Sequence, residues 1–141
     1  MAVAESCTGG GLGAKITSVP GASEVFLGGV TAYCDQAKKS ILRVPQAVLD
    51  EYGAVSIEVT QAMAAGAQKL LKADVSCAVS GYFGPTGGTQ EAPIGTVCCS
   101  FLFPDEEVSR RFSFQGSRAS ICEQAIQVII KELFLRLRAK G

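Results

Sequence analysis

The chain has 141 residues, 48% of them hydrophobic and 18% charged, with thirteen basic residues balanced by thirteen acidic ones and no histidine. That length suits one domain over 1–141 with a core of its own, and the composition excludes a disordered chain. The lack of a basic excess argues against nucleic acid as a partner, no apolar run is long enough to cross a bilayer, and there is no signal-peptide pattern.

The first element is a short strand over Met1–Ala4 that runs into Glu5-Ser6. Glycines 9–11 follow, then Leu12, Ile16 and Val19 at helical spacing, so the segment reads as strand, sharp turn, helix. Val19-Pro20-Gly21-Ala22 stops that helix, and Val25–Tyr33 is apolar and β-branched enough for a second strand. Asp35–Leu42 predicts a short helix ended by Val44-Pro45, and Gln46–Tyr52 a further turn or two. Ser56 then caps a long helix with Val59, Met63, Ala67 and Leu70 on one face. Val75–Val79 predicts a buried strand, and Ser80–Pro93 a long Gly/Pro/Thr loop of the kind that is usually functional.

Ile94–Phe103 and Val108–Phe114 read as antiparallel strands joined at Pro104-Asp105-Glu106. The last helix is expected to open on a capping box of Ser120 and Glu123 and to bury Ile126, Ile130, Leu133 and Leu137. Helices alternate with strands early and a hairpin comes late. This predicts an α/β fold, a three-layer α/β/α sandwich around a mixed, mostly parallel sheet. Ligands of such sheets bind beyond the carboxyl ends of the parallel strands, where the first turn, the end of the second strand and the Ser80–Pro93 loop converge.

The six cysteines are Cys7, Cys34, Cys77, Cys98, Cys99 and Cys122. None forms a C-x-x-C pair and most have apolar neighbours. They read as reduced, buried thiols of a cytoplasmic protein, without the spacing of a zinc site or a disulfide framework.

Ser6 admits three readings. It is a helix N-cap; or it is a hydroxyl at a turn where bare backbone N–H groups stabilise an anion, as for an activated serine and its oxyanion; or Gly9-x-Gly11-x-x-Ala14 with Asp35 is a loose dinucleotide fingerprint. Without histidine, a nucleophilic serine needs another base. Tyr33 and Lys38 are either solvated side chains or that base and its partner, since a buried lysine loses its proton readily and a tyrosine hydroxyl relays it. The Gly84–Thr89 stretch offers N–H groups for an anion nest but lacks a P-loop ending, and Arg118 is placed to hold a phosphate or an internal carboxylate.

Together the motifs AESCTGG (4–10), VPGAS (19–23), FLGGVTAY (26–33) with Lys38, YGAVS (52–56), SGYFGPTGGT (80–89), PIGTV (93–97) and Gly116-Ser117-Arg118 resemble the CinA C-terminal domain family, over nearly the whole chain. The resemblance implies a nicotinamide mononucleotide deamidase: hydrolysis of the carboxamide to nicotinic acid mononucleotide and ammonia. Ser6 would be the nucleophile, Lys38 the general base and Tyr33 its partner. Cys7, Thr8, Gly9, Gly10, Ser23, Ser80, Gly84, Gly87, Gly88, Thr89 and Arg118 would surround the mononucleotide, with no metal and no cofactor. The chain departs from the family pattern at Tyr82-Phe83, Ala92, Asp35 and Cys122, and begins on the first strand, where the family has a preceding helix. The alternative is a domain of the same fold that binds a nucleotide or a partner without turnover. The apolar composition suggests a homo-oligomer.

Overall fold

The computed structural model describes residues 1–141. Five strands, β1 (Ala2–Glu5), β2 (Gly28–Thr31), β3 (Ser76–Gly81), β4 (Thr96–Leu102) and β5 (Glu107–Ser113), form one sheet in the order β2-β1-β3-β4-β5. β1 pairs parallel with both β2 and β3, while β4 runs antiparallel to β3 and β5 antiparallel to β4. Four of the five strands therefore point the same way and β4 is reversed.

The helices are α1 (Gly11–Thr17), α2 (Asp35–Ser40), α3 (Gln46–Tyr52), α4 (Ile57–Leu71) and α5 (Arg118–Lys140). Alternation along the strands sorts the core into two layers. Val3, Cys77, Val79, Val97, Cys99 and Phe101 pack beneath α1 and α5, against Leu12, Ile121, Ala125, Ile129 and Leu133. Ala2, Ala4 and Ala78 face the other way, against Val59, Met63, Ala64 and Ala67 of α4. The architecture is the three-layer sandwich the pattern predicted.

The α4 layer is built from small residues, so helix and sheet approach closely. Hydroxyls bridge what remains: Ser76 donates to the Ala64 carbonyl at 2.8 Å, and Thr60, Ser100 and Ser109 form a chain with steps of 2.8 and 2.9 Å. Ser56 caps α4 by accepting from the Val59 N–H at 3.2 Å.

Four local expectations need correction. α1 stops at Thr17, leaving Val19 exposed, because the Thr17 hydroxyl bonds back to the Gly13 and Ala14 carbonyls and Ser18 to that of Lys15. β2 has only four residues, since its one partner, β1, has only four; a 3-10 turn at Ala22–Glu24 precedes it. On α4 the apolar stripe continues to Leu71, and Leu70 faces solvent. α5 begins three residues before the expected box: Ser117 is the cap, accepting from Ser120 N–H at 3.2 Å. Its buried stripe is Ile121, Ala125, Ile129 and Leu133, with Ile126 and Ile130 at its margin and Leu137 exposed.

Gly66 marks the closest approach on the α4 side. A Cβ there would overlap the Leu42 carbonyl oxygen and come within 2.8 Å of its carbon. Helix propensity alone would make Gly66→Ala stabilising by about 1 kcal/mol. The backbone contact reverses the sign, and a loss of about 1–3 kcal/mol is expected in urea denaturation.

Candidate active site

β1 and β2 end side by side, with Glu5 opposite Thr31, and β3 ends on the other flank of β1. The chain leaves β1 toward β2 and later crosses to β3, so this edge is a topological switch point. A cavity of about 320 Å³ opens there, within the range of small-molecule sites. Its walls come from the turn after β1 (Ser6, Cys7), the segment after β2 (Tyr33, Asp35, Lys38), the end of β3 and its loop (Ser80–Gly84, Thr86), Ala54 and Val55, and the start of α5 (Arg118).

The turn after β1 is organised by Glu5. This residue is 3% exposed, and its carboxylate accepts from the Thr8 hydroxyl at 2.6 Å, the Leu12 N–H at 2.7 Å and the Gly13 N–H at 2.9 Å. α1 needs this, because its N-cap is Gly10, with φ 103° and no side chain to supply an acceptor. The helix N-terminus thus already holds an internal anion. Glu5 takes the N–H groups that a pyrophosphate would need, which removes the dinucleotide reading. Ser6 is not a cap either: its backbone N–H donates to Val79, continuing the sheet, and its side chain turns to the cavity.

There Lys38 reaches it. Lys38 Nζ lies 3.1 Å from Ser6 Oγ, and the lysine is only 2% exposed although it sits on a six-residue helix. Burial lowers its pKa below the ordinary lysine range, and the charge of Asp35 opposes the shift. Asp35 Oδ1 stands 3.8 Å from Nζ. Beside Ser6, burial pushes the Cys7 thiol far above the usual cysteine range, so this sulfur is a neutral thiol and not a thiolate nucleophile. The N–H groups of Cys7 and Thr8 donate to no carbonyl or carboxylate; both lie against the Cys7 sulfur.

Tyr33 sits with Arg118 and not with Lys38. The Tyr33 hydroxyl accepts from Arg118 Nη2 at 3.0 Å, Arg118 Nη1 donates to the Gly84 carbonyl at 2.9 Å, and the guanidinium lies 6.0 Å from the Phe83 ring centre. Arg118 uses two of its five N–H donors in this way and has three left. Ser80 lines the cavity while its hydroxyl donates to the Ala54 carbonyl at 2.7 Å, fixing the wall from behind. Phe83 belongs to the core, so Tyr82 is the aromatic neighbour that remains partly open.

Other expected residues lie apart. Ser23 is exposed in the 3-10 turn, and Thr8, Gly9 and Gly10 shape the first turn without lining the cavity. Gly87, Gly88 and Thr89 lie beyond Thr86, with the Thr89 hydroxyl accepting from the Ala92 N–H at 2.9 Å. Glu5, Asp35 and the Ala54–Val55 wall carry more of the site than the sequence reading gave them. A helix start with three glycines and no capping side chain was the signal for Glu5. The cysteines are all unpaired; Cys77, Cys98 and Cys99 are buried, Cys7 and Cys122 partly so, and Cys34 is exposed, contrary to a uniformly buried set.

The profile of the CinA C-terminal domain matches residues 1–137. The chain belongs to the CinA C-terminal domain family. It is 45% identical over its whole length to a CinA-like protein of Thermotoga neapolitana and 46% identical to one of Parasynechococcus marenigrum, covering 34% of each. It therefore spans about a third of the length of these curated relatives. Among solved structures, the competence damage-inducible protein A of Klebsiella pneumoniae superposes with a TM-score of 0.93 at 34% identity, over 97% of this chain and 85% of that one. The competence/damage inducible protein CihA of Agrobacterium tumefaciens gives 0.91 at 30% identity, over 95% and 82%. No helix of this CinA domain is long and apolar enough to cross a membrane.

Glu5→Gln would turn an amide N–H₂ toward backbone donors and leave one of them unpaired. We expect a stability loss of about 1.5–3 kcal/mol in urea denaturation, the range for charged hydrogen bonds lost in a buried place.

Proposed function

We propose that this CinA domain is a Ser/Lys amidohydrolase that converts nicotinamide mononucleotide to nicotinic acid mononucleotide and ammonia, with no metal or cofactor. The observation that carries the reading is the 3.1 Å contact between a buried lysine amine and a serine hydroxyl at the wall of a cavity. Burial favours the neutral amine, the form able to take a proton.

In this reading Lys38 accepts the Ser6 proton as Oγ attacks the carboxamide carbon. The oxyanion forms against the backbone N–H of Cys7, the residue that follows the nucleophile. Lys38 then gives its proton to the departing nitrogen, and ammonia leaves an acyl-serine. Water, deprotonated in turn by Lys38, hydrolyses that ester to the carboxylate and restores Ser6. Tyr33 accepts from Arg118 and braces the guanidinium at the rim of the cavity. The phosphate falls to the three free donors of Arg118 and to the N–H groups of Gly84 and Thr86, neither of which has a backbone acceptor.

The deciding experiment is ammonia release from nicotinamide mononucleotide by the purified protein. Ser6→Ala should abolish it and Cys7→Ala should retain much of it; activity surviving Ser6→Ala rules the mechanism out. A wild-type protein that releases no ammonia leaves the binding-domain alternative.

Activity should rise with pH, because the working form of Lys38 is the neutral one and the depressed pKa brings that form within reach. Lys38→Arg retains the charge but cannot lose its proton, so it should be as inactive as Lys38→Ala. Arg118→Ala should weaken nicotinamide mononucleotide by about 2–4 kcal/mol and the phosphate-free riboside far less, read as separate KM values. Equal losses for both ligands would assign Arg118 to holding Gly84 and Tyr33 alone.

A further inference from the structure

The Lys38 ammonium has a single ion-pair partner, the Asp35 carboxylate, one turn earlier on α2. The two side chains lie 3.8 Å apart, but Lys38 is 2% exposed and Asp35 60%. Both line the same cavity. The groups that face the amine are few. Ser6 and Cys7 come from the turn after β1, and Cys34 and Asp35 from the start of α2. Tyr33, Arg118, Tyr82, Ser80 and Thr86 complete the polar lining of the cavity. Among all these, Asp35 is the one carboxylate. Glu5, the acid next to Ser6 in sequence, spends its oxygens on Thr8, Leu12 and Gly13.

Two opposed effects therefore act on one proton. Removing water from Lys38 favours the neutral amine, and the Asp35 anion favours ammonium. Because Asp35 is solvated, its field is screened and moderates the effect of burial without cancelling it. The Ser6 hydroxyl serves both states, accepting from the ammonium or donating to the amine. We infer that Asp35 is a positioning residue that holds the Lys38 proton against burial and so sets the pH at which the Ser6–Lys38 pair becomes competent. Only the word competent rests on the amidohydrolase reading above; the control of the proton does not.

Asp35 has one other evident role, as an acid in the first turn of α2, where it complements the helix dipole. That role contributes stability and leaves the titration of Lys38 unmoved. Asp35→Asn separates the two. It keeps the side-chain shape and removes the charge, while Asp35→Glu restores the charge.

The first readout is the pH titration of the Lys38 side chain by NMR, using its ¹³Cε resonance. The midpoint should fall in Asp35→Asn and return toward wild type in Asp35→Glu. The second is kcat/KM for the deamidation of nicotinamide riboside as a function of pH. The riboside is chosen because the phosphate of the mononucleotide ionises near pH 6 and would add its own limb. In Asp35→Asn the rising limb should move to lower pH, so that the fraction of plateau activity one unit below the wild-type midpoint increases at least about twofold. The plateau itself should drop, since a weaker base takes protons less well. An unmoved NMR midpoint in folded Asp35→Asn overturns the inference. Wild-type protein inactive toward nicotinamide mononucleotide at every pH overturns the amidohydrolase reading, and the NMR titration still decides Asp35.

Discussion

Glu5 ends β1 with its carboxylate turned back under the chain, and the turn that follows closes around it. Three donors converge on two oxygens within 2.9 Å, one from the turn itself and two from the first residues of α1. Hydrogen bonds to an anion are roughly twice as strong as neutral ones, and these sit where little water competes. The consequence is a division of labour between neighbours. Glu5 neutralises the helix N-terminus, which frees Ser6 from capping and turns its hydroxyl to the cavity. The glycines after it are needed because Gly9 and Gly10 take φ of 58° and 103°, a region where a side chain is strained.

The same edge shows how a protein with no net charge arranges charge locally. Lys38 and Arg118 both border one cavity, yet they are held in opposite ways. Lys38 is enclosed, with Ser6 and Asp35 as its polar company. Arg118 is open, tied to a carbonyl and a phenol oxygen, and keeps more than half its donors unengaged. The enclosed cation is built to lose its proton, and the open one keeps its charge throughout.

Much of the fold was legible because its causes are local. Ser56 caps α4 with the bond its position predicts, and the Pro104–Glu106 turn separates two strands whose alternation is plain. What escaped was set by partners distant in sequence. β2 is short because β1 is short. The buried stripe of α5 is offset because both Ser117 and Ser120 are plausible caps, and what the sheet presents, Phe101 and Cys99 among others, decides which face packs. In the site, the Ser6 turn and Lys38 were found from motifs, although 32 residues separate them and spacing alone could not pair them. Glu5 was passed over because a carboxylate that caps residues seven and eight positions onward depends on the path of the intervening turn. Tyr33 was assigned to Lys38, and the structure gives its oxygen to Arg118.

The Tyr33–Arg118 contact spans 85 positions, from the end of β2 to the opening of α5. Closing so long a loop carries an entropic cost that earlier contacts must already have offset. β1, α2 and β3 carry the Ser6–Lys38 pair and its flanking strands, whereas α5 supplies the rim. The rim of the cavity is finished only when the last helix docks. That rim thus reports whether α5 is docked against the sheet.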